Sequence, residues 1–545
     1  MRNFLLYCIL FCFLFNQDLV TNPHDIDLFI KEINALKECK ISEELFLKPY
    51  IRKIPKKNKP INITKDLIKD KKFVLEPIVS FRFGNNGFEM SDINSKAYWF
   101  TPGMKMSSII PILNQMNSIW LYSWTEFYKH SSVFEKGVNN PKTLFNYNPD
   151  YSIGFYTSSI EPSNGFDFDQ SQGGISLLSN KFEFIFGKFN TSFGPFYRGN
   201  LSISNNAPPL DQILIKFKDE KFIFSYMIAS LDSNLPRFHP SENIGFNESD
   251  LYKDLWTQES FDDAIMSNYT GGDRFSSWER YVAYHRLDFY LKDNIRIGAY
   301  EKIIFGARNI PMSYIIPVLP FWSSQHESGD LDNLMLGFDF DIAFDGCFLD
   351  PGLYSGETAC RIYGALLIDE WAPYSTFTDD HRNWFAWQVG YSKYGKIFKK
   401  YFLYKMEYSR IGPGVYNHRF IINEPKHHGY NLGFWSGNHS DDFLVSLVLL
   451  LNNDRFIKIS NEITRFSDTT FEQKMDNLES QYSNNLVDFS KHGFNNRNKL
   501  SIVFSSYIKY GIFFDLELSS FKTKGLYSID GFTDITMKIR YNIFK

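Results

Sequence analysis

The sequence predicts an all-β chain: a transmembrane antiparallel β-barrel of about 18 strands behind a small N-terminal α-helical module. Three observations predict it. From about residue 72 onward, apolar and polar residues alternate with a period of two, the signature of strands with one apolar face. Aromatic residues reach 18% (55 Phe, 32 Tyr, 10 Trp) while all hydrophobic residues make up only 43%, which suits many strands better than a bundle of membrane helices. The connections are unequal. Lys292-Asp293-Asn294 and Lys218-Asp219 are tight turns, whereas 231–278, 306–332 and 467–497 are long and polar, the asymmetry of a barrel with short turns at one end and long loops at the other. With 58 Lys plus Arg against 62 Asp plus Glu, the net charge is −4, so the basic excess of a nucleic-acid binder is missing.

In chain order, Met1-Arg2-Asn3 and the apolar run Phe4 to Phe15 read as a signal peptide over 1–17, too short for the ~20 residues of a spanning helix. The alternative is an uncleaved anchor. Residues 18–70 form the expected helical module and its basic linker. Asn22 caps, Pro23 suits the first turn, Asp25 and Asp27 favour the positive helix end, and Ile26, Phe29, Ile30, Ile33 and Leu36 share one face. A second short helix starts at Ser42, and Arg52 to Pro60 is a Pro-broken basic stretch.

Residues 71–545 are the expected barrel with long extracellular loops. Leu334, Leu336, Phe338, Phe340, Ile342 and Phe344 alternate with Met335, Gly337, Asp339, Asp341, Ala343 and Asp345. The same pattern recurs over Phe385–Ser392, Phe402–Ser409, Ile512–Ser519 and Asp534–Ile543. Further strand-like spans fall near 73–83, 97–110, 117–129, 151–158, 174–180, 181–189, 211–218, 220–230, 279–292, 294–305, 361–370, 430–437, 441–451, 454–466 and 498–509. Segments of ~9–12 residues suit tilted membrane strands. A soluble sandwich would bury the apolar faces between two sheets; a barrel turns them to lipid and leaves charges inside. The aromatic outer faces and the repeated charges opposite them favour the barrel. Phe544 is penultimate, a partial form of the terminal aromatic signal for barrel-assembly machinery.

Cys347 and Cys360 flank turn residues Asp350-Pro351-Gly352 and Ser355-Gly356, and stand either as a disulfide closing a hairpin or as free thiols. No Cys or His spacing resembles a metal site. The sequence has no Gly-x-Ser-x-Gly elbow, and His427-His428 would point to opposite faces of a strand, so no catalytic residue is assigned.

Several stretches, in order, resemble the capsule assembly Wzi family of outer-membrane proteins. They are Phe186-Gly187-Lys188-Phe189, Phe193-Gly194-Pro195 and Asn200-Leu201-Ser202-Ile203-Ser204-Asn205-Asn206-Ala207-Pro208; then His285-Arg286-Leu287-Asp288, Glu301 and Phe305-Gly306; then Tyr314, Pro317, Gln325, Gly329-Asp330 and Asp332-Asn333; and Tyr363-Gly364 with Leu367-Ile368-Asp369-Glu370. The resemblance covers most of 20–545 and is weakest over 410–500. It implies an outer-membrane barrel of a Gram-negative bacterium, reached by export, with its helical module on the periplasmic side. It further implies a non-enzymatic, lectin-like role in attaching or assembling surface polysaccharide, without a cofactor. The partners it implies are surface polysaccharide, outer-membrane lipid and, during biogenesis, the barrel-assembly machinery. A general diffusion porin is the alternative from the transport class, and an outer-membrane hydrolase the third.

Candidate saccharide contacts are Trp322, Gln325, His326, Asp330, Asp332 and Asn333 in one loop and Trp371 and Tyr374 in another, since aromatic faces pack on sugar CH groups and carboxylates or amides bind hydroxyls. Asp330, Asp332 and Asn333 also suit a simple Asx turn. Arg286, Asp288, Asp339, Asp341, Lys405 and Glu407 fall on the lumen parity, where they form either a salt-bridge lattice or a ligand path.

Overall fold

The computed structural model describes residues 19–20, 25–51, 72–84, 96–113, 119–134, 158–160, 165–179, 181–231, 279–306, 308–327, 329, 331–347, 358–371, 383–397, 400–418, 421–428, 430–452, 455–467, 494–508, 512–524 and 532–542. The expected signal peptide, the basic linker, Asn22, Pro23, residues 151–157 of the expected strand 151–158, Asp330, Tyr374 and Phe544 lie outside them.

Eighteen antiparallel strands close on themselves. In chain order they are β1 (Lys72–Gly84), β2 (Ala97–Leu113), β3 (Ile119–Phe134), β4 (Gly165–Leu178), β5 (Phe182–Phe189), β6 (Leu210–Lys218), β7 (Phe222–Leu231), β8 (Arg280–Lys292), β9 (Ile295–Gly306), β10 (Asn333–Asp345), β11 (Ala359–Glu370), β12 (Trp384–Ile397), β13 (Lys400–Ile411), β14 (Ser440–Asn452), β15 (Arg455–Ser467), β16 (Phe494–Ile508), β17 (Ile512–Lys524) and β18 (Phe532–Asn542). Each strand pairs with its sequence neighbours, and β18 returns to β1 with Thr536 opposite Gly84 and Asn542 opposite Ile78. Ring closure leaves no open edge. Ser158–Ile160 adds a short pairing to β4. A 13-residue strand such as β10, rising ~3.3 Å per residue and tilted ~40°, spans roughly 33 Å, enough to cross a bilayer core.

The period-two faces separate inside from outside. Tyr98, Phe127, Ile175, Phe186, Phe289, Phe338, Val389 and Leu500 are exposed on the outer wall, whereas their neighbours of opposite parity are buried in the lumen. Large apolar side chains standing exposed around a closed ring of strands are the outward belt of a membrane barrel, not the filling of a sandwich. Among the described residues no helix is long and apolar enough to cross a membrane.

Two strand assignments shift. The strand expected over 174–180 begins earlier, at Gly165, where Phe166 and Phe168 alternate with acidic and small residues. The alternating run 430–437 is not a barrel strand. Tyr430, Leu432 and Phe434 are buried, because this segment folds into the lumen and its apolar side chains pack on other inward chain instead of lipid.

Connections after odd-numbered strands gather at one end of the ring, the long-loop end. Those after even-numbered strands gather at the other, the short-turn end, where Asp293-Asn294 joins β8 to β9. The N-terminal helix α1 (Asp25–Lys37) enters the short-turn mouth: Phe29 packs edge-on against Phe456 of β15, and Ile41 N–H donates to Asp293 O at 2.8 Å.

Candidate functional site: the filled lumen

Two connections fold inward from the long-loop end, and the first meets the N-terminal segment. The first, 190–209, reaches deepest. Ser192 and Phe193 pair antiparallel with Lys48 and Leu47, and Gly194 N–H donates to Phe46 O at 2.8 Å. Its tip turns through Gly194 at φ +135°, where a Cβ would stand 2.3 Å from Asn200 Oδ1, so only glycine fits. Asn200 holds the turn, accepting from Phe196 N–H at 3.1 Å and donating to Ser192 Oγ at 2.9 Å. The Phe-Gly-Pro and Asn-Leu-Ser-Ile-Ser motifs are thus the two arms of an inward finger, with Phe193 stacked on Tyr284 at 4.8 Å and Leu201 and Ile203 buried.

The second connection, 412–439, caps the finger. Tyr416 Oη donates to Leu201 O at 2.6 Å, Ser204 N–H to Leu432 O at 2.6 Å, and the Arg198 guanidinium lies 4.9 Å from the Trp435 ring.

Charges lock these pieces to the wall. Arg286 and Arg296 both bind Asp288 and Asp339, at 2.5–2.6 Å. Gly298 makes room for this knot, since a Cβ there would sit 2.3 Å from Arg286 Nη2. Arg361 pairs with Asp341 and, at 3.3 Å, with Glu32 of α1; Lys405 binds the other Glu32 oxygen at 2.7 Å. Burial alone would raise the Glu32 carboxyl, but Lys405 and Arg361 outweigh it and hold it down at about 2. Glu407 accepts from Tyr197 N–H and Arg198 N–H, each at 2.9 Å, and from Tyr363 Oη at 2.7 Å. Arg198 extends to Asp442 at 3.1 Å and Glu462 at 2.9 Å. At the short-turn side Glu43 takes Lys218 at 2.7 Å and Lys216 at 3.3 Å. Buried charges satisfied on several sides fix geometry strongly, because removing one partner strands the other in a dry interior.

Of the residues singled out from the sequence, Arg286, Asp288, Asp339, Asp341, Lys405 and Glu407 all face the lumen and are buried. Sequence reasoning missed Arg296, Arg361, Glu32, Arg198, Asp442 and Glu462. Arg296 and Arg361 share the lumen parity of their strands and were findable from it. Glu32 and Arg198 lie on a helix and a loop, and their partners are fixed only by how those segments dock.

The loop candidates are placed differently. Gln325 donates to Asp332 O at 2.8 Å. Asp332 accepts from Tyr314 Oη at 2.7 Å and pairs with Arg308. Asn333 donates to Asn423 O at 3.0 Å. Trp322 and His326 are exposed on the outer flank of the wall, their rings tilted against each other with centroids 4.6 Å apart. Trp371 is exposed just past the long-loop end of β11. These groups therefore do not converge on one lumen surface. Cys347 and Cys360 are free thiols, with Cys360 Sγ donating to Gly346 O at 3.2 Å. Among the described residues no cluster of His, Cys, Asp or Glu suits a metal ion.

No protein-family profile and no curated protein sequence matches the chain. Its architecture does match solved structures. Wzi of Escherichia coli, described as a carbohydrate-binding β-barrel of the outer membrane involved in group 1 capsule assembly, aligns over 96% of this chain and 98% of its own, with TM-score 0.52 and 12% identity. OprD of Pseudomonas aeruginosa aligns over 87% and 95%, with TM-score 0.43 and 7% identity. OccAB4 of Acinetobacter baumannii aligns over 86% and 98%, with TM-score 0.44 and 8% identity. At such identities the shared property is the fold, that of an outer-membrane β-barrel.

Proposed function

We propose that the chain is a plugged outer-membrane barrel that binds surface polysaccharide at its long-loop end and supports capsule or exopolysaccharide assembly. The observation that carries this reading is the filled lumen. A general diffusion porin needs an open aqueous path, whereas here α1 and the 190–209 finger enter the lumen and are bonded to the wall by buried ion pairs, and the 412–439 cap is held to it by hydrogen bonds from Arg280 and to Asp369. A barrel closed in this way works through its surfaces. The similarity in fold to a carbohydrate-binding barrel over nearly the whole length of both chains supports the choice of ligand. On this reading the short-turn end faces the periplasm, which places α1 there, and the long-loop end faces the cell exterior.

Two experiments test it together. In planar bilayers the protein should show no large steady conductance. A strain lacking it should retain less surface glycan, and the purified barrel should bind the glycan of its own host. A steady porin-like conductance with normal glycan retention overturns the proposal in favour of the porin.

A further inference from the structure

His285 of β8 and Glu301 of β9 are directly opposite each other in register, and Tyr226 of β7 is opposite His285. All three have the parity of Leu287, Phe289 and Ile297, which are exposed on the outer wall. An ionisable pair on that face would meet hydrocarbon, where it is strongly disfavoured. It does not, because 311–327 folds back over it. This segment holds two short helices, α2 (Met312–Ile315) and α3 (Phe321–Glu327).

The cover is specific. His285 Nε2 lies 2.8 Å from Glu301 Oε2, and its Nδ1 lies 3.2 Å from Pro317 O. Glu301 Oε2 also accepts from Phe321 N–H at 2.7 Å, and the Phe321 ring stacks on His285 at 4.3 Å. Tyr226 Oη donates to Tyr314 O at 2.7 Å. Phe305, Tyr314 and Phe321 form a fully buried apolar cluster with Ala283 and Ile303. This packing is on the outside of the barrel, separate from the lumen.

The other face of the segment is apolar and uncovered. Met312, Ile315, Ile316, Val318 and Trp322 are 41–77% exposed, and no charged residue occurs from Pro311 to Gln325. The patch lies toward the long-loop end and continues the exposed belt of the same strands, Leu287, Phe289 and Ile297. Such a patch in water would be an aggregation hazard; next to an apolar belt it extends the membrane surface.

We infer that 311–325 is a bilayer-embedded flap, with the exposed His326 and Glu327 at its long-loop rim. The acyl chains of the leaflet at the long-loop end contact Met312, Ile315, Ile316, Val318 and Trp322, while the inner face of the flap shields the His285–Glu301 pair from lipid. The occupant is fixed by continuity: the patch borders wall that already faces acyl chains. The inference rests on the membrane placement of the barrel and is independent of the glycan reading.

The test uses the full barrel reconstituted in phosphatidylcholine vesicles, with bromine near the headgroup end of the acyl chains. The contribution of Trp322 is the emission of the wild type minus that of Trp322→Phe. Trp387, exposed on the outer wall of β12, gives a belt reference through Trp387→Phe. Brominated lipid should remove about half or more of the Trp322 contribution, as expected for an interfacial tryptophan, and aqueous iodide should remove little. Quenching by iodide and not by bromine would place the flap in water and overturn the inference. Protection from both would place a second copy or another protein on it, and would also overturn it. Quenching of Trp387 by brominated lipid with none of Trp322 leaves the barrel in the membrane and removes only the flap. A polarity-sensitive label on Val318→Cys gives the same readout if Trp322→Phe folds poorly.

Discussion

The two sides of the lumen use charge in different ways. On the β8–β13 wall, lumen charges reach across strands and into the plug. Arg286, Asp288 and Asp339 have side chains 0–2% exposed, and each takes part in more than one ion pair. Farther round the ring, two pairs join adjacent strands within the wall. Lys105 meets Glu126 at 3.1 Å and Lys499 meets Glu517 at 3.1 Å, with side chains 12–25% exposed. His130 bonds to Gln170 at 3.0 Å and Thr101 at 3.1 Å, again within the wall. The contrast teaches that alternation supplies lumen charge all around the ring, but only contact with inward chain turns it into a lock. Solvated neighbours contribute little to stability, while a desolvated knot is costly to break.

The largest expected effect follows from breaking the knot. Asp339→Leu leaves Arg286 and Arg296 short of a carboxylate and should lower stability by about 3–5 kcal/mol, read as a lower urea midpoint of the folded barrel in vesicles. Next comes the plug. Glu32→Gln removes the carboxylate shared by Arg361 and Lys405, and a shift from the ordinary 4.5 to about 2 corresponds to about 3 kcal/mol. It should make α1 protease-sensitive without unfolding the strands. Acid should do the same to the wild type. Because the folded-state value is depressed, the stabilisation is complete above pH 4.5 and is lost as pH falls toward 2; hydrogen exchange in α1 should rise over that window. An unchanged α1 at pH 2 would show that Glu32 does not hold the helix.

A third change tests steric room. Gly298→Ala places a methyl against Arg286 and should cost about 1–3 kcal/mol in the same urea assay, with the Arg–Asp knot displaced. The smallest effect is expected on the opposite wall. Glu517→Gln breaks a half-solvated pair with Lys499 and should change stability by about 1 kcal/mol or less. If Glu517→Gln were as damaging as Asp339→Leu, the distinction between the two walls would be wrong.

Much of this is legible in the residues. The run Leu334 to Asp345 states its own strand, its outward Phe338 and Phe340 and its inward Asp339 and Asp341, because a strand's side chains alternate by geometry. The run 430–437 alternates as well and is no barrel strand, since local period cannot tell an apolar face meant for lipid from one meant for an inward loop. Trp322 shows the same limit. Its loop carries residue types suited to sugar contacts, yet the fold of 311–327 turns the tryptophan outward and gives Gln325 and Asp332 internal partners.

The amino-acid order alone determined the closed antiparallel ring, its outward aromatic belt and which side chains point inward, because these follow from a two-residue repeat and from ring closure. Tertiary structure decided what fills the ring and what covers its outer flank. The partners of Glu32, Arg198 and His285 lie far away in sequence or on other strands, and no local pattern encodes a contact that exists only once loops fold onto a finished wall.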